Sequence, residues 1–144
     1  MTDANVEVVR RWIEECFDRK DLAVVEQIVA PDFVGYAPGG QVAFRGSAQV
    51  KGFLQWHGSA FHDVQSTIED VIATGDKVVV RTTSRSRYHG GWRDIPGAGQ
   101  PVVETGISIY RIAEGTIREV WFEASDLQAL EQLGSLPPLE GVGE

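Results

Sequence analysis

The chain has 144 residues, 42% of them hydrophobic, enough for one ordinary domain to bury a core unaided. Its one cysteine, Cys16, excludes an intrachain disulfide, and with no Cys/His cluster beside it no structural metal is expected. With Asp+Glu at 21 and Lys+Arg at 13, the formal charge of -8 argues against a nucleic-acid partner.

The opening MTDANVEVVRRW has no basic stretch followed by an apolar run, and nothing approaches the roughly 20 apolar residues of a membrane span. A soluble cytoplasmic protein without a membrane partner is expected. Val6, Val9, Trp12, Ile13 and Phe17 recur at helical spacing and predict a first helix over Asp3 to Phe17, capped by Asp3 or Asn5. Asp21 caps a second short helix through Leu22, Val25, Ile28 and Val29, which Pro31 ends. A turn and a short strand, DFVGYAP, follow. Ser47 then opens a third helix in which Val50, Phe53, Leu54, His57 and Phe61 share an inward face.

The period changes in the second half. VQSTIEDVIATGD, KVVVRTTSRSRYHG, QPVVETGISIYRI and TIREVWFEAS are β-branched runs separated by turns such as Thr74-Gly75-Asp76, and they predict antiparallel strands. A last helix runs from Asp126 to Leu133 and stops at Gly134. Residues 1–134 read as one domain and 135–144 as a flexible tail. Helices first and a long sheet afterwards give an α+β class, a curved antiparallel sheet wrapped around the N-terminal helices as a cone.

Alternation divides the strand from Lys77 into Val78, Val80, Thr82, Ser84, Ser86 and Tyr88 against Val79, Arg81, Thr83, Arg85 and Arg87. The arginine face is expected to meet water or a partner subunit. The other face grades from apolar to hydroxyl-bearing, as a cavity for an oxygenated ring requires. The YHGGWRDIPGAGQP loop is expected to cover the mouth.

The strings VVRRWIEECF, DLAVVEQIVAPDF, IEDVIATGDKVVVR, HGGWRDIPGAGQPVVETGISIYRI and EGTIREVW, in this order, resemble the SnoaL-like polyketide cyclases and ester cyclases of the nuclear transport factor 2-like cone fold. The resemblance implies a small α+β barrel, dimeric through the open sheet face, whose cavity takes a small hydrophobic molecule without metal or organic cofactor. It also implies intramolecular aldol chemistry, with a carboxylate as acid/base. Where such cyclases place a histidine and then an acid on the cavity face, this chain has Val120 and Phe122, and the polar residue of the neighbouring strand falls on Ser108.

A one-residue β-bulge after Trp121 would turn Glu123 inward and make it the acid/base, with Asp126 at the acidic position that opens the last helix. Alternatively Glu123 is an exposed partner of Arg81 or Arg85, and Asp126 a helix cap. His57, on the apolar face with Phe53 and Phe61, is a second candidate base, or else a core histidine. Glu104 shares a face with Ser108 and Tyr110 and is a candidate cavity carboxylate. Tyr36, Trp56, Tyr88, Trp92 and Phe122 are candidates to contact the ligand, Tyr88 and Ser108 as hydrogen-bond donors to an enolate oxygen. The reading is therefore a cofactor-independent cyclase or isomerase, with a non-catalytic binding domain and a dehydratase or epoxide hydrolase as alternatives.

Overall fold

The first helix forms where predicted but changes its winding: α1 (Thr2–Arg11) runs into a π-helical segment (Trp12–Asp18) in the computed structural model, which describes residues 2–137. The wider turn narrows the arc spanned by Trp12, Ile13, Cys16 and Phe17, so all four face the sheet; such segments are frequent beside functional sites. Asp21 caps α2 (Leu22–Ile28), its carboxylate accepting the Ala23 N–H at 3.1 Å. The chain passes directly into β1 (Val29–Tyr36), longer than the predicted DFVGYAP. Pro31 is tolerated there because the ladder to β6 is interrupted between Val29 and Val34, where its missing N–H is not needed.

A four-residue edge strand, β2 (Val42–Arg45), was not expected. The third helix, α3 (Gly46–Ala60), starts one residue before Ser47 and ends one before Phe61, which opens β3 (Phe61–Thr74). β4 (Lys77–Tyr88), β5 (Gln100–Ala113), β6 (Thr116–Ala124) and α4 (Asp126–Gln132) complete the chain. The expected tail 135–144 lies outside the described residues from 138 onward. Among the described residues no helix is long and apolar enough to cross a membrane.

The sheet order is β2-β1-β6-β5-β4-β3. Every neighbouring pair is antiparallel except β1 with β6, which is parallel, so the curved sheet of the expected α+β fold is mixed. Bulges at His62–Gln65 and Ile68–Asp70 in β3, and at Arg118 in β6, bend it around the helices.

Two apolar clusters fill the concave side. The larger joins Val9, Ile13, Cys16, Val25, Val50 and Leu54 of the helices to Val78, Val80, Ile112 and Ile117 of the sheet. The smaller, at the other end, holds Ala60, Phe61, Tyr88, Ile95, Val102 and Ala129. On the convex side, Ile72, Val79, Ile109, Trp121, Tyr36 and Val42 stand directly opposite one another, one from each of the six strands. Ile72 is 62% exposed and Ile107, in the next row, 53%.

Candidate active site

A cavity of about 310 Å³ takes its walls from both clusters. One wall is aromatic: Trp12 and Phe17 of the π-helical segment, Phe53 and Trp56 of α3, and Phe33, Phe44 and Phe122 of the sheet. The other carries hydroxyls, because the inward set of β4 is the predicted one: Thr82, Ser84 and Ser86 line the cavity beside Ser66 of β3 and Ser108 and Tyr110 of β5. Arg81, Arg85 and Arg87 are exposed on the convex side, as alternation requires. A flat ligand that is apolar on one face and oxygenated along an edge matches these walls.

Glu104 and Asp126 also line the cavity. Alternation along β5 puts Glu104 on the inner face with Ser108 and Tyr110, as predicted. The start of α4 is tied to β5 beside it: Ser125 Oγ accepts the Thr105 N–H at 2.9 Å, and the Ser125 N–H donates to the Thr105 carbonyl at 2.9 Å. Ser125, not Asp126, occupies the cap position, which leaves Asp126 as the first residue of the helix. Burial, and then the negative charge of Asp126, push Glu104 up to about 7. Asp126 is itself raised by burial, opposed by the positive charge of Arg93. A carboxyl group whose ionisation is hindered by burial and by a neighbouring negative charge, as that of Glu104 is, is suited to exchanging a proton near neutrality.

His57 lies among the rings of Phe17, Phe53 and Phe61, with centroids 4.6, 5.7 and 4.9 Å away. Its Nδ1 is buried without a hydrogen-bond partner. Burial, reinforced by the charge of Lys20, lowers its pKa to about 3. The imidazole is therefore neutral at pH 7, a hydrogen-bonding group toward the cavity and a poor base. Burial pushes the Cys16 thiol up to about 12, which leaves it no nucleophilic role.

Trp56, Trp92, Ser108 and Phe122 reach the cavity as expected. Three expectations need correction. The β-bulge falls at Arg118, between the pairs Ile112–Ile117 and Arg111–Glu119, not after Trp121. Arg118 is held there by Asp32 and Glu114, each 3.6 Å away, and pairing continues unbroken through Glu123. Glu123 therefore shares the convex face with Trp121 and Ile107 and is exposed, although it also contributes to the cavity lining. Tyr36 is outside the cavity, stacked on Trp121 at 5.6 Å on the convex face.

Tyr88 is likewise not in the lining. Its hydroxyl donates to the Ile95 carbonyl at 2.6 Å and accepts the Trp92 N–H at 2.9 Å, so it pins the mouth loop instead of meeting a ligand. That loop crosses itself so closely that a Cβ on Gly97 would fall 2.1 Å from the Gly90 nitrogen. It is also held by the Trp56 indole N–H, which donates to the Gly91 carbonyl at 3.0 Å.

Two polar residues escaped the sequence reading. Arg93 acts on Asp126 from the loop, and Asp18 ends the π-helical segment against Ser66. An acid at the negative end of a helical segment opposes the helix dipole, and that was the signal that could have singled out Asp18. Among the described residues no group of three or more His, Cys, Asp or Glu could hold a metal ion.

Comparison with known proteins agrees with this architecture. AclR of Streptomyces galilaeus, provisionally assigned as a hydroxylase, superposes with a TM-score of 0.85 at 22% identity, over 99% of this chain and 92% of its own. Wild-type IdmH of Streptomyces antibioticus, provisionally assigned as a polyketide cyclase, gives 0.78 at 27% identity, over 90% and 98%. A protein of Catenulispora acidiphila with a ketosteroid isomerase-like fold gives 0.74 at 19%, over 89% and 92%. At such identities the first and third speak to the fold alone, and no curated protein matches the chain. A sequence profile of the SnoaL-like polyketide cyclases matches residues 7–133, and the chain belongs to that family.

Proposed function

We propose that this protein is a cofactor-independent cyclase or isomerase that moves protons at a carbon next to a carbonyl in a hydrophobic, polyketide-like substrate. The observation that carries the reading is a carboxyl group, Glu104, poised near neutrality against a cavity with one aromatic and one hydroxylated wall. As carboxylate, Glu104 takes the proton from the carbon, and the electron pair moves onto the carbonyl oxygen as an enolate. Tyr110, with Ser108 beside it, donates a hydrogen bond to that oxygen. In a cyclisation the enolate carbon bonds to a second carbonyl carbon of the same chain, and Glu104 returns its proton to the new alkoxide. The cavity walls hold the two ends together, which removes much of the entropic barrier. His57 serves as a neutral hydrogen-bonding partner, in place of the base role expected of it, and Asp126 as the neighbour that raises the Glu104 pKa.

The test uses 2-tetralone, a flat ketone with acidic protons between ring and carbonyl. In D₂O at pH 7 the protein accelerates deuterium uptake at that carbon, and Glu104→Gln abolishes the acceleration. Equal uptake with the two proteins refutes the role of Glu104.

One observation favours the hydrolase alternative: Glu104, Asp126 and Arg93 form two carboxyls near an arginine. Arg93 is exposed and outside the cavity lining, however, so the cluster lacks a cation facing the ligand. A wholly apolar receptor is at odds with the half-buried carboxyl in the cavity wall.

We also propose that a second copy covers the convex face. A two-fold axis along β5 sets the apolar row against itself, Arg81 of β4 opposite Glu123 of β6 and Lys77 of β4 opposite Glu119 of β6, so charge and apolar surface match together. Sedimentation shows a dimer on this reading, and Ile107→Glu gives a folded monomer; an unchanged dimer contradicts it.

A further inference from the structure

The Asp18 carboxylate accepts two hydrogen bonds from Ser66, its backbone N–H at 2.9 Å and its hydroxyl at 2.7 Å. The Ser66 oxygen lies 2.8 Å from Ser84 Oγ. A hydroxyl owns one proton, and a carboxylate offers only lone pairs. The Ser66 proton is used on Asp18, so the bond between the two serines is donated by Ser84. The Ser84 proton is then used as well, and only lone pairs remain toward the cavity that Ser84 lines. Ser84 stands directly opposite Glu104 across the β4–β5 ladder.

We propose that Asp18, acting through Ser66, fixes Ser84 as an acceptor-only contact, so that the ligand presents a free phenolic or enolic hydroxyl on the edge beside Glu104. A carbonyl or ether oxygen at that point would meet lone pairs with lone pairs. The chain of three residues thus discriminates between the hydroxyl and the blocked form of one substrate. Thr82, Ser86 and Ser108 also line the cavity, but among the described residues no carboxylate orients them, and their hydroxyls turn to suit either group. Asp18 is a positioning residue here and touches no ligand. The inference rests on the proposed ligand-binding role of the cavity but not on the proton-transfer step.

The probes are 2-naphthol and 2-methoxynaphthalene, equal in ring system and differing in whether the oxygen can donate. Binding is read at pH 7 by quenching of the tryptophans that line the cavity. The wild-type protein binds 2-naphthol about tenfold more tightly, the ratio expected for one hydrogen bond made against one oxygen left unpaired. Ser84→Ala brings that ratio close to one.

In Asp18→Asn the amide oxygen is kept by the Ser66 N–H and the amide nitrogen faces the Ser66 oxygen. The Ser66 hydroxyl therefore turns to Ser84, and Ser84 releases its proton to the cavity. The methoxy probe gains affinity and the ratio collapses, whereas a purely structural role for Asp18 would weaken both probes alike. If Asp18→Asn does not fold, Ser84→Ala reads the same ratio without disturbing the helix end. No preference in the wild type, no binding of either probe, or a ratio untouched by both substitutions overturns the inference. Neither probe has a proton next to a carbonyl, so a preserved ratio without tetralone exchange strikes the cyclase reading alone, and the reverse result strikes Ser84 alone.

Discussion

Glu104→Gln offers a test of the site that needs no substrate. Burial and Asp126 raise the carboxyl from 4.5 to about 7, so the folded protein holds this proton more tightly than the unfolded chain does. The stability that comes with the bound proton is complete below pH 4.5 and is lost as pH rises toward 7. At about 1.4 kcal/mol per pKa unit, the wild-type protein loses about 3 kcal/mol between pH 4 and pH 8 through this one group. Glutamine has nearly the same shape and does not titrate. Glu104→Gln should therefore match the wild type at pH 4 and exceed it by about 3 kcal/mol at pH 8, or about 10 °C in Tm for a chain of this size. Urea unfolding followed by tryptophan fluorescence at both pH values measures the difference. A variant whose advantage is the same at pH 4 and pH 8 refutes the raised carboxyl, and a variant less stable at pH 8 refutes the packing drawn for it.

His57 has the opposite sign. Its pKa is depressed from 6.5 to about 3, so stability is complete above 6.5 and is lost as pH falls. His57→Phe should resist acid better than the wild type by about 2–3 kcal/mol at pH 4.5, with little of that gain at pH 8, as read by unfolding across that range. An acid response unchanged by the substitution would show the ring to be solvated. Tyr88→Phe leaves the Ile95 carbonyl and the Trp92 N–H without their partner. It should cost about 2 kcal/mol, and hydrogen exchange should quicken across residues 89–99 while the strands stay protected; uniform loosening, or no change, contradicts the pinning role.

What could be read from the sequence followed from local periodicity. The alternation of arginines with hydroxyl residues from Val78 to Tyr88 fixes both faces of β4, and the same rule places Glu104, Ser108 and Tyr110 together. The spacing of Val50, Phe53, Leu54 and His57 similarly sets the inner face of α3. What could not be read depended on distant parts of the chain. The bulge lies at Arg118, whose guanidinium is 3.6 Å from both Asp32 and Glu114, and nothing adjoining Trp121 marks its place; of the two faces open to Glu123, the register gives the outer one.

β2 has four residues, too few for a period to show. Tyr88 ends a cavity-facing series, yet the loop that follows folds back over its hydroxyl, an outcome of Gly90 and Gly97 packing together. Asp18 meets Ser66 across 48 positions, and the parallel pairing of β1 with β6 spans the chain. The sequence marks Asp126 by its place at the head of the last helix; its influence on Glu104 depends on the Thr105–Ser125 hydrogen bonds, which fasten that helix to β5.

The most direct measurement is a titration of the Glu104 side-chain carboxyl by ¹³C NMR, assigned by its loss in Glu104→Gln. The account predicts a midpoint near 7, moving downward in Asp126→Asn because a neighbouring negative charge is gone. A midpoint in the ordinary carboxylate range near 4, indifferent to Asp126, would contradict it.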